Sequence, residues 1–143
     1  MGELKALAEK YYDAFNRGDL DEAVKAFSPD VETIEPGAGT MRGAEQWKAY
    51  GEGFKRAMPD ARLNLKSAVE QGNILSVEGV FTGTHTGPMA TPTGEIPPTG
   101  RTISLPYVDI YTAEGGRFVT HQVYYDQITM LAQLGLIPGP DGA

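Results

Sequence analysis

The sequence contains no cysteine among its 143 residues and only two histidines. The absence of cysteine excludes a disulfide framework, a thiolate nucleophile, an iron–sulfur cluster and a zinc site with cysteine ligands. The two histidines, His85 and His121, lie far apart and neither belongs to a His-x-His or His-x-x-x-His pair. Those spacings are typical of metal ligands on one element, so we predict no metal site.

Basic residues and long apolar runs are also scarce. There are 12 Lys+Arg against 19 Asp+Glu, which gives a formal net charge of −7. Nucleic-acid binding depends on Lys and Arg that neutralise phosphates, and anionic membranes attract basic segments, so neither partner is expected. No run approaches the roughly 20 apolar residues that span a bilayer. Because residues 1–5 lack the pattern of a signal peptide, we expect a cytoplasmic protein.

The composition is that of an ordinary globular domain, with 41% hydrophobic and 22% charged residues. A chain of this length suffices for one hydrophobic core and is short for two. We therefore expect a single domain over residues 1–143, in which 138–143, rich in Gly and Pro, form a loose tail.

Hydrophobic periodicity predicts helices first and strands afterwards. Helices are predicted at 3–16, 20–27 and 44–58, and a last one at 128–134. Strands are predicted at 31–35, 61–70, 73–82, 102–112 and 117–126, with hairpin turns at Gln71-Gly72 and Gly115-Gly116. Three helices followed by a mostly antiparallel sheet predict an α+β fold with the helices on one face. If that sheet is strongly curved, it encloses an apolar cavity, the usual place for a small-molecule site.

One segment, Gly83 to Arg101, does not fit either pattern. Its 19 residues include four Gly, four Pro and five Thr. Connections of this length are usually disordered insertions or functional lids. The first reading is a flexible insertion. The second is an ordered flap over the cavity mouth, docked through Met89 and Ile96, which makes Met89 a candidate substrate contact.

Several motifs resemble a known family. Phe15-Asn16-Arg17-Gly18-Asp19-Leu20 resembles the opening of the cone-shaped NTF2-like α+β fold. The segments 81–88 (Phe-Thr-Gly-Thr-His-Thr-Gly-Pro), 96–101 (Ile-Pro-Pro-Thr-Gly-Arg), 124–126 (Tyr-Tyr-Asp) and 133–135 (Gln-Leu-Gly) resemble the SnoaL-like polyketide cyclase branch. Together they extend the resemblance over residues 4–136.

The resemblance implies a cofactor-free enzyme that closes a ring by intramolecular aldol condensation, with an aspartate as general acid and base. The position that matches this aspartate is Asp126. The family commonly has Glu-His-Trp shortly before it, whereas this chain has Thr120-His121-Gln122. The implied ligand is an apolar or aromatic small molecule.

Two aspartates are candidates for the general acid and base. Asp126 follows two tyrosines, and aromatic surroundings would desolvate its carboxylate and raise its pKa towards the working range of a base. The alternative is a cap for the helix that begins at Gln127. Asp109 is unexpected inside a strand that otherwise predicts burial. Its alternative role is that of a hydrogen-bonded or surface aspartate.

The role of Asp109 depends on how the last two long strands pair. A two-residue Gly-Gly turn places it opposite Gln122, with both aspartates on one face and Tyr107, Gln122 and Tyr124 between them. A three-residue loop instead pairs it with His121 and turns Asp126 to the other face.

Four further residues are candidates for ligand contact. His85, at the start of the flap, could donate a hydrogen bond to a substrate oxygen, with a structural role as the alternative. His121 on its half-buried strand is a contact or a core residue. Trp47 and Tyr50 have helical spacing, which indicates core or cavity wall.

Two classes of function fit these features. One is a cofactor-independent cyclase, with isomerisation or hydrolysis as related alternatives. The other is a binding module that holds an apolar ligand without chemistry. Because residues of the predicted strand 102–112 place apolar side chains on both faces, we also expect a homodimer.

Overall fold

A six-stranded sheet covered by helices on its inner face forms the body of the protein. The computed structural model describes residues 2–91 and 93–139, so the part of the predicted tail at 140–143 lies outside the described residues. The helices are α1 (Glu3–Asn16), α2 (Leu20–Ala23), a 3₁₀ turn (Val24–Ala26), α3 (Ala44–Ala57) and α4 (Gln127–Gln133). The strands are β1 (Phe27–Glu35), β2 (Gly39–Arg42), β3 (Arg62–Gln71), β4 (Ile74–Thr84), β5 (Met89–Thr91), β6 (Gly94–Ile96), β7 (Thr102–Glu114) and β8 (Arg117–Tyr125).

The sheet has the strand order β2-β1-β8-β7-β4-β3. All neighbours are antiparallel except β1 and β8, which are parallel, so the sheet is mixed. It is curved and does not close on itself. The predicted α+β arrangement is therefore confirmed.

The helices present apolar faces to the sheet. The buried face of α1 carries Tyr11, Tyr12 and Phe15. The chain leaves α1 at Gly18, whose positive φ of 82° favours glycine. The Asp19 side chain then accepts a hydrogen bond from the Glu22 N–H and caps α2, a position at which aspartate is favoured. This places α1 and α3 over the concave side of the sheet.

The two long hairpins form with tight turns. β3 and β4 pair as Gln71 with Ile74, so their turn is Gly72-Asn73, one residue later than predicted. Gly115 and Gly116, with φ of 60° and 80°, make the predicted two-residue turn between β7 and β8.

A β-bulge at Val119 changes the register of that second hairpin. Ala113 faces Phe118, but the next pair is Thr112 with Thr120, which leaves Val119 unpaired. Asp109 consequently faces Val123, not Gln122 or His121, and both predicted registers are wrong. A bulge inserts one residue and exchanges the inner and outer faces of the strand beyond it.

The flap segment contains the short antiparallel hairpin β5–β6. It is held against the end of α3, where the backbone N–H groups of Thr86 and Gly87 donate to the Ala57 carbonyl at 3.1 and 2.9 Å. An ion pair of 2.8 Å joins Arg56 to Glu95. The described residues of this segment therefore form an ordered structure and not a loose insertion.

Within residues 2–91 and 93–139, none of the helices combines the length and apolarity needed to cross a membrane.

Candidate active site

The helices and the concave face of the sheet surround an apolar hollow. It opens to the surface, and its cavity volume is about 80 Å³. Its walls come from α1, α3, α4 and the inner faces of β3, β4, β7 and β8, and are mainly aromatic and aliphatic. Asp109 is the carboxylate among the lining residues. A hollow of this kind suits an apolar ligand that is oriented by few polar groups.

Strand alternation brings Asp109 into the hollow. Every second residue of β7 points inward and is buried: Ile103, Leu105, Tyr107, Asp109, Tyr111 and Ala113. Gly79 of β4 faces Tyr107, and a Cβ at Gly79 would lie 2.5 Å from the Tyr107 hydroxyl oxygen. Glycine at this point leaves room for the tyrosine ring beside Asp109.

The bulge at Val119 brings His121 to the same face. His121 pairs with Tyr111 across the strands and stacks on its ring, with centroids 4.6 Å apart. Its Nε2 lies 3.1 Å from Asp109 Oδ2. Both side chains are buried, with exposed fractions of 4% each. A buried carboxylate and imidazole thus form a hydrogen-bonded pair in the wall of the hollow.

The two oxygens of Asp109 have different surroundings. Oδ2 accepts hydrogen bonds from His121 and from the Tyr111 hydroxyl, the latter at 3.0 Å. Oδ1 is buried and has no hydrogen-bond partner among the described residues. A buried polar atom without a partner is costly, and a catalytic role is one of the explanations for it in a native structure. Oδ1 is therefore the atom of this pair that is free to act on a ligand.

Trp47 fixes the tautomer of His121. The indole Nε1–H donates to His121 Nδ1 at 3.2 Å. Since an indole nitrogen can only donate, Nδ1 must be the acceptor and Nε2 carries the hydrogen that is given to Asp109. The hydrogen bonds therefore all run in one direction, from Trp47 through His121 to Asp109, and they hold the carboxylate in place.

Buried tyrosine hydroxyls extend this network. Tyr111 bonds to the Tyr11 hydroxyl, and the Tyr107 hydroxyl bonds to that of Tyr12 at 2.7 Å. Burial, followed by the charge of Asp109, raises the pKa of Tyr11 and Tyr111. Burial also raises the pKa of Tyr107. These hydroxyls consequently remain protonated and able to donate hydrogen bonds at neutral pH.

The predicted position of Asp126 as a desolvated base is wrong. Asp126 is exposed and caps α4: Oδ1 accepts from the backbone N–H of Ile128 and Thr129, and Oδ2 from the Thr129 hydroxyl. The hydrogen bonds to Thr129, above all that from its hydroxyl, lower the pKa of this carboxyl where we expected a rise. The alternative reading of the sequence, a helix cap, is what the structure contains.

The flap residues also lie away from the hollow. His85 is buried, and its Nδ1 accepts from the Thr99 N–H at 3.2 Å and lies 3.0 Å from the Thr99 hydroxyl oxygen. Met89 packs against the core from β5. Neither residue lines the hollow, nor does any other described residue of 83–101, so the expected lid over its mouth is not found.

Of the remaining predicted contacts, four line the hollow and two do not. Trp47, Tyr50, Tyr107 and His121 lie in its wall. The bulge turns Gln122 and Tyr124 to the outer face, where Tyr124 is 53% exposed. The sequence reasoning missed Tyr11 and Tyr111. The spacing of Tyr111 two residues after Asp109 on a strand was the available signal, because such residues share a face.

Over residues 2–91 and 93–139, no three His, Asp or Glu side chains come together in a way that could hold a metal ion.

Several solved structures have a similar architecture. The structure is similar to that of AclR from Streptomyces galilaeus, a candidate hydroxylase, at 29% identity and a TM-score of 0.81 over 97% of this chain and 85% of that one. It is similar to IdmH from Streptomyces antibioticus, a candidate polyketide cyclase, at 29% identity and a TM-score of 0.77 over 92% and 98% of the two chains. An NTF2-like protein from Burkholderia pseudomallei shares the fold at 24% identity and a TM-score of 0.76, over 94% of this chain and 98% of that one.

The search of curated proteins gives no significant match. The sequence profile of the SnoaL-like polyketide cyclases matches residues 5–134, which is most of the chain. The curved α+β body, the apolar hollow and this match agree with one another. The chain belongs to the SnoaL-like polyketide cyclase family.

Proposed function

We propose that the protein is a cofactor-independent, cyclase-type enzyme in which Asp109 is the general acid and base. The observation that supports this most directly is the pair of unequal oxygens of Asp109. Oδ2 is held by His121 and Tyr111, whereas Oδ1 is buried in an apolar wall without a partner. The family match and the similarity to IdmH support the reaction class.

In this proposal Oδ1 takes a proton from the carbon next to a carbonyl group, and the resulting enolate attacks a second carbonyl in the same molecule. The alkoxide that forms takes the proton back from Asp109, so the cycle is balanced. The apolar wall excludes water and orients a flexible chain for ring closure.

The first half of this reaction can be tested without the natural substrate. Proton abstraction exchanges the hydrogens next to the carbonyl of 2-tetralone for deuterium in D₂O, which NMR follows directly. Asp109→Asn keeps the shape of the side chain and removes the base. We expect it to lower the exchange rate by about 100-fold or more, because general base catalysis contributes about 10²–10⁴-fold.

Asp126→Asn is the matched control, since it alters an exposed aspartate and Asn also caps helices. It should leave the exchange rate within about twofold of wild type. If Asp109→Asn retains more than about a tenth of the wild-type rate, Asp109 is not the base. Binding of 2-tetralone without any exchange would instead support a binding module.

A further inference from the structure

A second carboxylate, Glu35, is buried at the end of β1. Its exposed fraction is 3%, and none of the Lys or Arg side chains among the described residues forms an ion pair with it. It accepts hydrogen bonds from the backbone N–H groups of Gly37 and Ala38, at 2.8 and 3.1 Å. Buried acidic side chains without a cationic partner are uncommon.

The strand register places Glu35 on the same side of the sheet as Asp109. On β1 and β8, Thr33 pairs with His121 and Ile34 with Gln122, so the next residue, Glu35, lies beside Val123. On β8 and β7, Val123 pairs with Asp109. The two carboxylates therefore lie in one row across three strands, with their backbones about 10 Å apart, which is twice the spacing of neighbouring strands.

Two tyrosines connect Glu35 to the hollow. Tyr50 of α3 and Tyr125 of β8 both line its wall. Burial, and then the negative charge of Glu35, raises the pKa of Tyr50. Burial, and then a hydrogen bond to Glu35, raises the pKa of Tyr125. Both hydroxyls thus stay protonated, and each can donate its hydrogen to the neighbouring carboxylate, which can only accept.

Gly37 permits this convergence. A Cβ at Gly37 would lie 2.9 Å from Gln127 Nε2 and 3.2 Å from the Tyr125 hydroxyl oxygen. The Gln127 amide also interacts with that oxygen and lowers the pKa of Tyr125 in opposition to the larger effects. The acceptor capacity of Tyr125 is therefore used within the protein. Among the described residues no side chain donates a hydrogen bond to the Tyr50 oxygen, so its acceptor capacity is left for a ligand.

We infer that Glu35, Tyr50 and Tyr125 form a subsite that recognises a hydroxyl group of the ligand. Because the hydrogen of Tyr50 is directed to Glu35, its oxygen accepts a hydrogen bond and favours a ligand group that donates one. The inference rests on the proposed function for the other end of the ligand, where Asp109 acts next to a carbonyl. The substrate class is thus a ketone that carries a phenol, enol or alcohol on its far side.

Two bicyclic ketones of almost equal shape test this. 6-Hydroxy-2-tetralone carries a hydroxyl on the ring away from the ketone, and 6-methoxy-2-tetralone has an oxygen there that cannot donate. Isothermal titration calorimetry gives the Kd of each. We expect wild type to bind the hydroxy compound about tenfold more tightly, as one buried hydrogen bond would produce.

Variants assign that preference to the subsite. Tyr50→Phe removes the acceptor and should reduce the preference to within about twofold. Glu35→Gln should also reduce the preference for the hydroxy compound. An amide can donate to the Tyr50 oxygen, and the Tyr50 hydrogen is then free to bond to the ligand. Tyr124→Phe is the matched control: this tyrosine is exposed on the outer face, so the preference should stay about tenfold.

The outcomes separate this inference from the proposed function. Asp109→Asn should lose deuterium exchange and keep the preference for the hydroxy compound. A preference without exchange in wild type would overturn the proposed function and support the subsite. The subsite is overturned if wild type shows no preference, if Tyr50→Phe keeps it in full, or if neither compound binds.

Discussion

Asp109 works through neighbours that hold one of its oxygens and leave the other free. His121 is set in the required tautomer by the Trp47 N–H, so a residue on α3 controls a carboxylate on β7. Such supporting contacts orient a reactive group without touching the ligand's reacting atoms. Trp47 is therefore a positioning residue for the proposed reaction.

Trp47→Phe tests that role, since it keeps an aromatic ring against Phe27 and removes the indole N–H. We expect the deuterium exchange rate of 2-tetralone to fall by about five- to tenfold, which corresponds to one lost hydrogen bond. The fall should be smaller than that of Asp109→Asn. A rate equal to wild type in a variant with an unchanged melting temperature would show that Trp47 is not a positioning residue for the proposed reaction.

Asp126 contributes to stability through α4. Because its folded pKa is lowered, this contribution is complete above the ordinary Asp value of 3.8 and disappears as the pH falls through the lower, folded pKa. Asp126→Ala should therefore lower the melting temperature at neutral pH, with a difference that narrows in acid. Thermal unfolding at several pH values measures this, with Asp126→Asn as the variant that keeps a capping side chain. A difference independent of pH would contradict the assignment.

At the scale of the elements, His85 joins the two ends of the flap segment 83–101 by hydrogen bonds. The backbone N–H of His85 donates to Arg101 and its carbonyl accepts from Gly100, while its ring bonds to Thr99. Burial lowers the pKa of His85 below the ordinary value of 6.5. As the pH falls below 6.5, the unfolded chain takes up a proton that the folded protein does not, so the free energy of unfolding falls.

His85→Gln should remove this part of the pH dependence. We expect the variant to be less stable than wild type at neutral pH, because a hydrogen-bonded ring is lost. The difference in the free energy of unfolding between the two proteins should be smaller at about pH 5.5. Urea unfolding at the two pH values gives the comparison. The deuterium exchange rate should stay near wild type, since His85 does not line the hollow. A large loss of exchange without a loss of stability would return His85 to the candidate catalytic residues.

The elements themselves were largely predictable because their signals are local. The helices, the Asp19 cap and the Gly115-Gly116 turn depend on residues within one or two turns of chain. Which residues of β8 face the hollow was not predictable in the same way. That depends on one extra residue, Val119, whose side chain carries no signal that distinguishes a bulge from a regular strand.

At the scale of the whole molecule, the outer face of the sheet carries apolar side chains that a second copy could cover. Val108 and Tyr124 are a cross-strand pair with exposed fractions of 36% and 53%, and Ile34 on the adjoining β1 is 37% exposed. Contiguous apolar residues on a sheet face are typical of interfaces. We therefore expect the homodimer that the sequence predicts, joined through β1, β7 and β8.

Tyr124→Asp should dissociate this dimer, because an unpaired charge would lie within the interface. Sedimentation at tens of micromolar should give about twice the 15.4 kDa chain mass for wild type and the single mass for the variant. Val69→Asp is the matched control. Val69 is 68% exposed on β3, an edge strand that β4 separates from the proposed interface, so this substitution should leave the dimer intact. A wild-type monomer would contradict the prediction.

The bulge at Val119 also affects how this sequence is aligned with those of its relatives. Inward-facing residues of a regular strand are two positions apart, whereas here His121 follows the inward-facing Phe118 by three. In a relative without the extra residue, the counterpart of His121 stands two positions after that of Phe118. A gap placed in the Gly115-Gly116 turn would then match a residue of the hollow with one on the outer surface. The single gap belongs at Val119, and its placement decides which residue of a homologue is identified as the partner of the aspartate.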